Sequence, residues 1–298
     1  MPPLLTISGQ NIIAFGLWPE LSILPTLPES TMNASPAVSV IMPAYNAENY
    51  IQAALESVFK QTFYDWELLV VNDCSIDNTA NLVEEYQKRE PRIKLINLTK
   101  NMGAPAGPRN LGIQNALGQW IAFLDADDIW HPEKLNRQMA VLQYTKAKFC
   151  SSQMIDFRGD ETPKLSDALK NQIEWISFAR QLIKLRTPTS SVIADKDLLL
   201  KYPFNEDMEY KAREDLDCWL HCHEELGETV KIMAPMVGYR IIEGQISGNK
   251  WAMVKRHLHV LRNYRRLSGR LLSFPGAMLF TLTHFTIAFY KRSAKNRI

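Results

Sequence analysis

The chain has 298 residues, 46% hydrophobic and 22% charged, enough to bury a full core in one large domain or two. A formal net charge of only +2 gives no compositional case for a nucleic-acid partner. The four scattered cysteines, Cys74, Cys150, Cys218 and Cys222, are too few for a disulfide framework and fit a reducing compartment.

Residues 1–36 differ in character from the rest of the chain. They mix short apolar pieces with Pro2, Pro3, Pro19, Pro25, Pro28 and Pro36, and they lack the basic start of a signal peptide. Met32 lies just before the first convincing strand, so we expect the native start at Met32, with the preceding residues dispensable or disordered. Val38 to Met42 is a short β-branched apolar run, a buried strand that ends at Pro43 and leads into the loop Ala44-Tyr45-Asn46. Helical spacing continues the chain over Asn49 to Thr62. Trp66 to Val71 is a second buried strand, closing in the polar loop Asn72 to Thr79, where Asp77 or Asn78 can cap the helix Ala80 to Arg89. Ile93 to Leu98 alternates as a third strand. Lys100 to Asn110 is rich in Gly and Pro and reads as a loop, and Leu111 to Leu117 as a short helix.

Gln119 to Pro132 reads QWIAFLDADDIWHP. The apolar run Trp120 to Leu124 predicts a buried strand that stops at Asp125, Asp127 and Asp128. If extended geometry persists through Ala126, Asp125 and Asp127 face one site, because side chains two apart on a strand point the same way. Like charges that close need a cation or ligand hydroxyls between them, and hard oxygen ligands suit Mg2+ or Mn2+. Taken alone, so short a motif fits a solvated acidic strand end leading into a helix, whose start favours Asp, better than a metal site.

Alternating strands and helices argue for a parallel sheet covered by helices, with ligands bound outside the carboxyl ends of the strands. Tyr45 and Asn46, Asp73, then Asp125 and Asp127 stand at those ends, and the loop carrying Arg109 precedes the fourth strand. That concentration points to a nucleotide-phosphate site. Neither the G-x-G-x-x-G fingerprint nor the G-x-x-x-x-G-K-[ST] loop is present, which argues against a nicotinamide enzyme and a P-loop phosphotransferase.

The segments VSVIMPAYN, ELLVVNDCSIDNT, NMGAPAGPRNLG and IAFLDADDIW, in that order, resemble the successive motifs of family-2 inverting glycosyltransferases of the bacterial surface-polysaccharide type. The resemblance covers Val38 to Pro132 closely. It implies an α/β GT-A fold: a mainly parallel nucleotide-binding sheet flanked by helices, a less regular acceptor half and C-terminal helices. It also implies a sugar nucleotide, most often a UDP-sugar, bound with a divalent metal, Mn2+ or Mg2+. Carried over, it puts Asp73 on the base with Tyr45 packing near it, Pro43 and Asn46 beside them, and Arg109 at the nucleotide. Asp125 goes to the ribose or metal and Asp127 to the metal. One departure is Cys74 where the family usually has Gly; a positive φ there would strain the loop.

The second half is less regular. Lys134 to Thr145 predicts a helix, Phe149 to Phe157 a strand, Ser166 to Leu185 helical pieces, and Pro188 to Ile193 another short strand. In Tyr210 to Cys222, Leu216, Trp219 and Leu220 share a helix face behind Glu214 and Asp215. The E-D…W-L pattern resembles the family's base motif, which makes Asp215 the general base; Glu214 can orient it, and Asp217 is a further carboxylate. Trp219 fits either the core or a platform for a sugar ring. Cys218, His221, Cys222 and His223 match no common zinc spacing. Tyr239-Arg240 and Gly244 to Lys250 resemble the segment that closes over the donor, with Arg240 on the pyrophosphate; the residues alone fit a strand and an ordinary loop.

From Trp251 the chain reads as a helix with a basic face. Leu271 to Tyr290 is then uncharged and is followed by Lys291, Arg292, Lys295 and Arg297. The order of expectation is a peripheral contact with an anionic membrane, then a helix packed on the domain, then a span. The domain reading is an extension over 1–36, a glycosyltransferase domain over 37–250 divided into nucleotide-binding (37–130) and acceptor (131–250) halves, and C-terminal helices over 251–298. The expected activity is metal-dependent inverting transfer, of hexosyltransferase type, from a nucleotide-sugar donor to a saccharide or lipid-linked glycan. The expected setting is cell-surface polysaccharide assembly on the cytoplasmic face of the membrane. The rivals are a sugar-1-phosphate nucleotidyltransferase, whose Gly-rich loop after strand one is replaced here by PAYN, and a non-catalytic sugar-nucleotide-binding protein.

Overall fold

The computed structural model describes residues 35–295 except 160–162, 164, 166–171, 185–186 and 243–249. The expectations for residues 1–34, for part of Ser166 to Leu185 and for the loop from Gly244 lie outside them. Apolar β-branched runs build the centre. β1 (Val38–Ala44) pairs in parallel with both β2 (Trp66–Asn72) and β4 (Trp120–Phe123), and β2 carries β3 (Ile93–Asn97) on its outer side. Every residue of β2 is buried, as expected of a strand covered on both faces. The helices α1 (Ile51–Phe59), α2 (Thr79–Arg89) and α3 (Ala106–Asn115) make the crossovers. Helix α3 lies close on the sheet because Gly112 faces Ile41, where a Cβ would come within 2.5 Å of the isoleucine's Cγ2.

Beyond β4 the sheet continues in mixed sense. After the two-residue β5 (Ile129–Trp130) and α4 (Lys134–Thr145) come β6 (Phe149–Phe157), β7 (Ile173–Ser177), α5 (Phe178–Ile183) and β8 (Ile193–Asp195). Next are α6 (Lys196–Lys201), α7 (Glu214–Leu226) and β9 (Glu228–Arg240). The strand order is β3-β2-β1-β4-β8-β6-β9-β5, with β7 also on β9; β8 runs against β4, and β5 and β7 run against β9. The β6–β9 register shifts around Gln153, opposite Pro235, a residue that cannot donate to the ladder.

Five expectations change. The predicted loop over Lys100 to Asn110 is already helical from Ala106, because Pro108 falls in the first turn, where its missing N–H costs nothing. Arg109 therefore stands on a helix. In Pro188 to Ile193 a 3-10 turn over Thr189–Ser191 precedes a strand that begins only at Ile193. β7 occupies residues where only helical pieces are expected, and β9 extends the short strand expected at Tyr239-Arg240 to 13 residues. Finally, Ala126 and Asp127 form a turn, closed by the Asp128 N–H donating to the Asp125 carbonyl at 3.0 Å, so the extended geometry does not persist through the carboxylates.

The C-terminal helices α8 (Lys250–Asn263) and α9 (Phe274–Lys295) pack on each other, with the His257 and His284 rings 4.4 Å apart. Tyr264, Val260, Leu261 and Ala277 join Leu216 and Leu220 of α7 in a small separate core. Among the described residues no helix is long and apolar enough to cross a membrane.

Candidate active site

Three strand ends and a helix start meet at one edge of the sheet. After β1, the Tyr45 ring is 52% exposed. Asn46 takes φ 49°, its side-chain oxygen accepting from the Ile76 N–H at 3.0 Å and its own N–H donating to Ser75 Oγ at 3.0 Å. Glu48 and Asp77 add reciprocal bonds to each other's loop: the Glu48 N–H donates to Asp77 and the Asn78 N–H to Glu48. The loops after β1 and β2 are thus laced together while the tyrosine stays open. Pro43 is the penultimate residue of β1, opposite Val71.

Asp73, at the end of β2, is buried. Its Oδ1 accepts from the Met102 N–H at 2.7 Å, and Asn101 Nδ2 donates to its carbonyl at 2.8 Å, fixing the loop that leads to α3. Burial pushes its carboxyl above the usual range, against the bonds from the Met102 and Gly103 N–H groups. Cys74 comes next at φ 59°, the left-handed conformation that its missing Cβ would let a glycine adopt more readily.

Asp125 and Asp127 lie in the turn after β4, each partly exposed, with Ala126 buried between them. The turn is held from below. The Asp125 N–H donates to Ser190 Oγ at 3.1 Å, while Asp128 is buried and its Oδ1 accepts from the Arg240 N–H at 3.1 Å. The buried Arg240 guanidinium donates through Nε to the Asp127 carbonyl at 3.0 Å and through Nη1 to the Gly159 carbonyl, and lies 4.4 Å from the Phe157 ring. Burial and the neighbouring Asp127 and Asp125 push the Asp128 carboxyl far up.

Arg109 joins the two sides of the site. Its buried guanidinium reaches Asp125 Oδ1 at 2.7 Å and Glu214 Oε1 at 3.0 Å. These neighbouring carboxylates outweigh burial and hold the guanidinium still more firmly charged than usual. Glu214 opens α7. Asp215 beside it is half-buried: Oδ1 accepts from the Leu216 N–H at 2.8 Å, and Oδ2 accepts a long bond, 3.5 Å, from Thr189 Oγ1. Burial raises the Asp215 carboxyl above its ordinary value, opposed by the charges of Arg213 and Arg109; burial likewise raises Glu214 and Asp217. The unpredicted turn at 189–191 therefore lies between the two acidic groups, Ser190 on Asp125 and Thr189 on Asp215. A run that reads as a strand, P-T-S-S-V-I, hides these hydroxyls.

Two other expectations resolve simply. Trp219 is fully buried, its ring 5.2 Å from Phe149 and 5.3 Å from Phe204, so it is core and not a sugar platform. Cys218 donates to the Tyr202 carbonyl at 3.1 Å, and His223 bonds the Trp219 carbonyl and Thr229 Oγ1, both inside the fold. Burial draws the His223 imidazole down to about 4. Among the described residues no three His, Cys, Asp or Glu side chains gather as a metal cluster. The donor set at the β4 turn, two carboxylates with one oxygen of Asp125 committed to Arg109, nevertheless fits a hard divalent ion that completes its shell with water and phosphate.

Comparison with known proteins points the same way. The family model for glycosyl transferase family 2 matches residues 39–205. An Escherichia coli protein, UDP-Glc:alpha-D-GlcNAc-diphosphoundecaprenol beta-1,3-glucosyltransferase WfgD, is 31% identical over 258 residues, covering 86% of this chain and 95% of its own. A second E. coli glucosyltransferase of the same description, WfaP, is 28% identical over 226 residues, 76% of this chain and 86% of its own. Among solved structures, residues 1–349 of Staphylococcus aureus TarS in complex with UDP-GlcNAc superpose with a TM-score of 0.64 at 25% identity, covering 84% of this chain and 72% of that one.

Proposed function

The chain belongs to glycosyl transferase family 2 and has its GT-A fold, and on that premise we propose that it is an inverting, metal-dependent hexosyltransferase moving a sugar from a UDP-sugar to a saccharide hydroxyl. The acceptor in this reading is a lipid-linked glycan of surface-polysaccharide assembly, used at the cytoplasmic face of the membrane, as the names of the E. coli relatives suggest. Residues 37–250 form the transferase domain, divided near residue 130 into donor and acceptor halves, and 251–298 are an appended tail. The nucleotidyltransferase and non-catalytic readings are not favoured. One observation carries the proposal: the ion pairs of Arg109 with Asp125 and Glu214 set the carboxyl end of β4 beside the start of α7, which bears Asp215.

On this reading Tyr45 stacks on the uracil, with Pro43 and Asn46 shaping the loop and Asp73 at the base edge. Asp125 serves the ribose, and Arg109 and Arg240 hold the diphosphate end of the site by bracing its acidic turns. The acceptor hydroxyl gives its proton to Asp215 as its oxygen attacks the anomeric carbon from the side opposite the leaving diphosphate. One base and one displacement invert the configuration. Mn2+ or Mg2+ held by Asp127 and Asp125 would neutralise the charge that builds on the leaving diphosphate. The test is transfer from UDP-glucose or UDP-GlcNAc to a short lipid-diphosphate saccharide, with the product's anomeric configuration read by NMR. An inverted product whose formation stops in EDTA and returns with Mn2+ is expected; a retained configuration, or turnover indifferent to chelator, overturns the mechanism.

A further inference from the structure

Charge is segregated along this chain to a degree that its net value hides. All 32 acidic residues precede Gly244, whereas residues 244–298 carry 11 Lys and Arg and no Asp or Glu. Three of those residues, Arg265, Arg266 and Arg270, stand on one short surface feature. Between α8 and α9 the chain forms a small hairpin, with Arg265 bridged to Leu271 and a turn at Gly269, φ 79°. Arg265 and Arg270 on it are exposed, while Arg266 is spent on Glu224 at 2.8 Å. The hairpin runs directly into α9, whose two faces differ. Ala277, Thr281 and His284 are buried against the domain. Phe274, Met278 and Leu282, four apart, point outward with Leu279 beside them, and Leu271 extends the row onto the hairpin. Leu271, Phe274, Leu279 and Leu282 are each more than half exposed, a continuous apolar strip that soluble surfaces seldom leave bare.

We propose that this hairpin and the outer face of α9 dock on the surface of an anionic phospholipid bilayer, Arg265 and Arg270 on the headgroups and the leucine row at the acyl boundary. Charge complementarity selects the occupant: the segment carries no acidic residue to repel phosphate, and basic residues flank the apolar strip on both sides in sequence, as in helices that lie in a membrane interface. Among the described residues no helix is long and apolar enough to cross a membrane, and α9, buried along one face at Ala277, Thr281 and His284, presents only its other face for a contact in the plane of the surface. The inner side of the same helix gives the contact a consequence. Phe285 lies 5.9 Å from the guanidinium of Arg213, the residue preceding Glu214 and Asp215. A helix is about 10–12 Å across, so a bilayer on its outer face lies roughly one helix thickness from that guanidinium, and the length of the Arg213 side chain separates it from the start of α7. A saccharide carried on a membrane lipid would be within reach of Asp215. The lipid contact stands on the surface alone; this last step rests on the proposed role of Asp215.

The test is sedimentation of the full chain with phosphatidylglycerol vesicles and with phosphatidylcholine vesicles. Binding to the anionic vesicles that weakens with salt is expected, with little on the neutral ones. Arg265→Glu with Arg270→Glu should lower vesicle affinity by at least ~30-fold, and Leu279→Ser with Leu282→Ser by about 10-fold or more. Both double variants should keep wild-type transfer to a short detergent-soluble acceptor and lose it on the same acceptor embedded in vesicles. Absence of binding to anionic vesicles, or binding that ignores both variant pairs, overturns the surface. Concentration-dependent self-association abolished by Leu279→Ser with Leu282→Ser, without vesicle binding, would assign the strip to a second copy instead. Vesicle binding with no transfer to either acceptor would retain the surface and remove the transferase reading.

Discussion

The two acidic groups of the site are built in opposite ways. Asp125 and Asp127 sit in a turn, partly open, their backbone pinned by Ser190 and Arg240 from beneath. Glu214 and Asp215 open a helix, Glu214 buried and Asp215 half-buried, in surroundings that raise both carboxyl groups. An open carboxylate suits a cation or hydroxyl that comes and goes; a partly desolvated one holds a proton more readily. Arg109 belongs to both groups, and the two sides can be told apart by which depends on it more.

The largest effect should come from Asp215→Asn, which keeps the shape and removes the proposed base. Turnover should fall by ~10²- to 10⁴-fold with UDP affinity unchanged, read by steady-state kinetics and nucleotide titration. Near-normal turnover would move the base elsewhere, Asp217 first. The pH profile separates this from a loss of fold. Because the Asp215 carboxyl is raised, its ionised form is lost at a pH above the ordinary aspartate value of about 3.9, and the acid limb of kcat should lie there. A raised folded-state pKa adds stability as pH falls towards the unfolded value, and takes it away as pH rises through the folded one. Acidification should therefore cost activity while these carboxylates make the fold more stable, and the limb should vanish from the residual activity of Asp215→Asn.

Arg109→Met tests the shared cation. As a brace, its loss leaves Glu214 buried without its ion pair, and stability should drop by about 3–5 kcal/mol in denaturant unfolding. The deficit should shrink at lower pH, where Glu214 takes up a proton, and Arg109→Met with Glu214→Gln should recover much of it. If Arg109 instead serves mainly the nucleotide, stability changes little and UDP affinity collapses. That result would tie it to the open group.

Legibility in the sequence divides along the same line. The part before residue 130 is readable because β1, β2 and β4 spell nearly unbroken apolar runs, β2 from Trp66 buried throughout, with unusual polar residues left at their ends, and because β3 alternates. The part after residue 130 is not, because its strands are short or interrupted and their partners are distant in sequence. β8 has three residues, and β7 finds β9 more than fifty positions later. The Arg109–Glu214 pair spans 105 residues, a contact that no local pattern announces. Thr189 and Ser190 escape a sequence reading because a 3-10 turn and a strand start look alike in a short run of small hydroxyl residues. Pro108 misleads in the other direction, since a proline marks a loop and a helix's first turn equally well.

The smallest effect concerns the loop beside the donor end, where local sequence and geometry disagree. Cys74 holds φ 59°, which costs a residue with a Cβ roughly 1–2 kcal/mol. Its thiol gains little in return, lying 4.0 Å from the Thr99 carbonyl, a weak contact for sulfur. Cys74→Gly removes the clash but gives the unfolded chain more freedom, which takes back about 0.4–1 kcal/mol. The net expectation is a gain of about 0.5–1 kcal/mol in denaturant unfolding, the left-handed cost being the larger of the two. UDP affinity should stay within about twofold, because Asp73 is held by the Met102 N–H and not by the thiol. A destabilised Cys74→Gly protein would mean that the Cys74 side chain packs more favourably than its backbone is strained. A large loss of UDP affinity at unchanged stability would show that the strained conformation itself positions Asp73, and that the donor end depends on stored strain as the base end depends on burial.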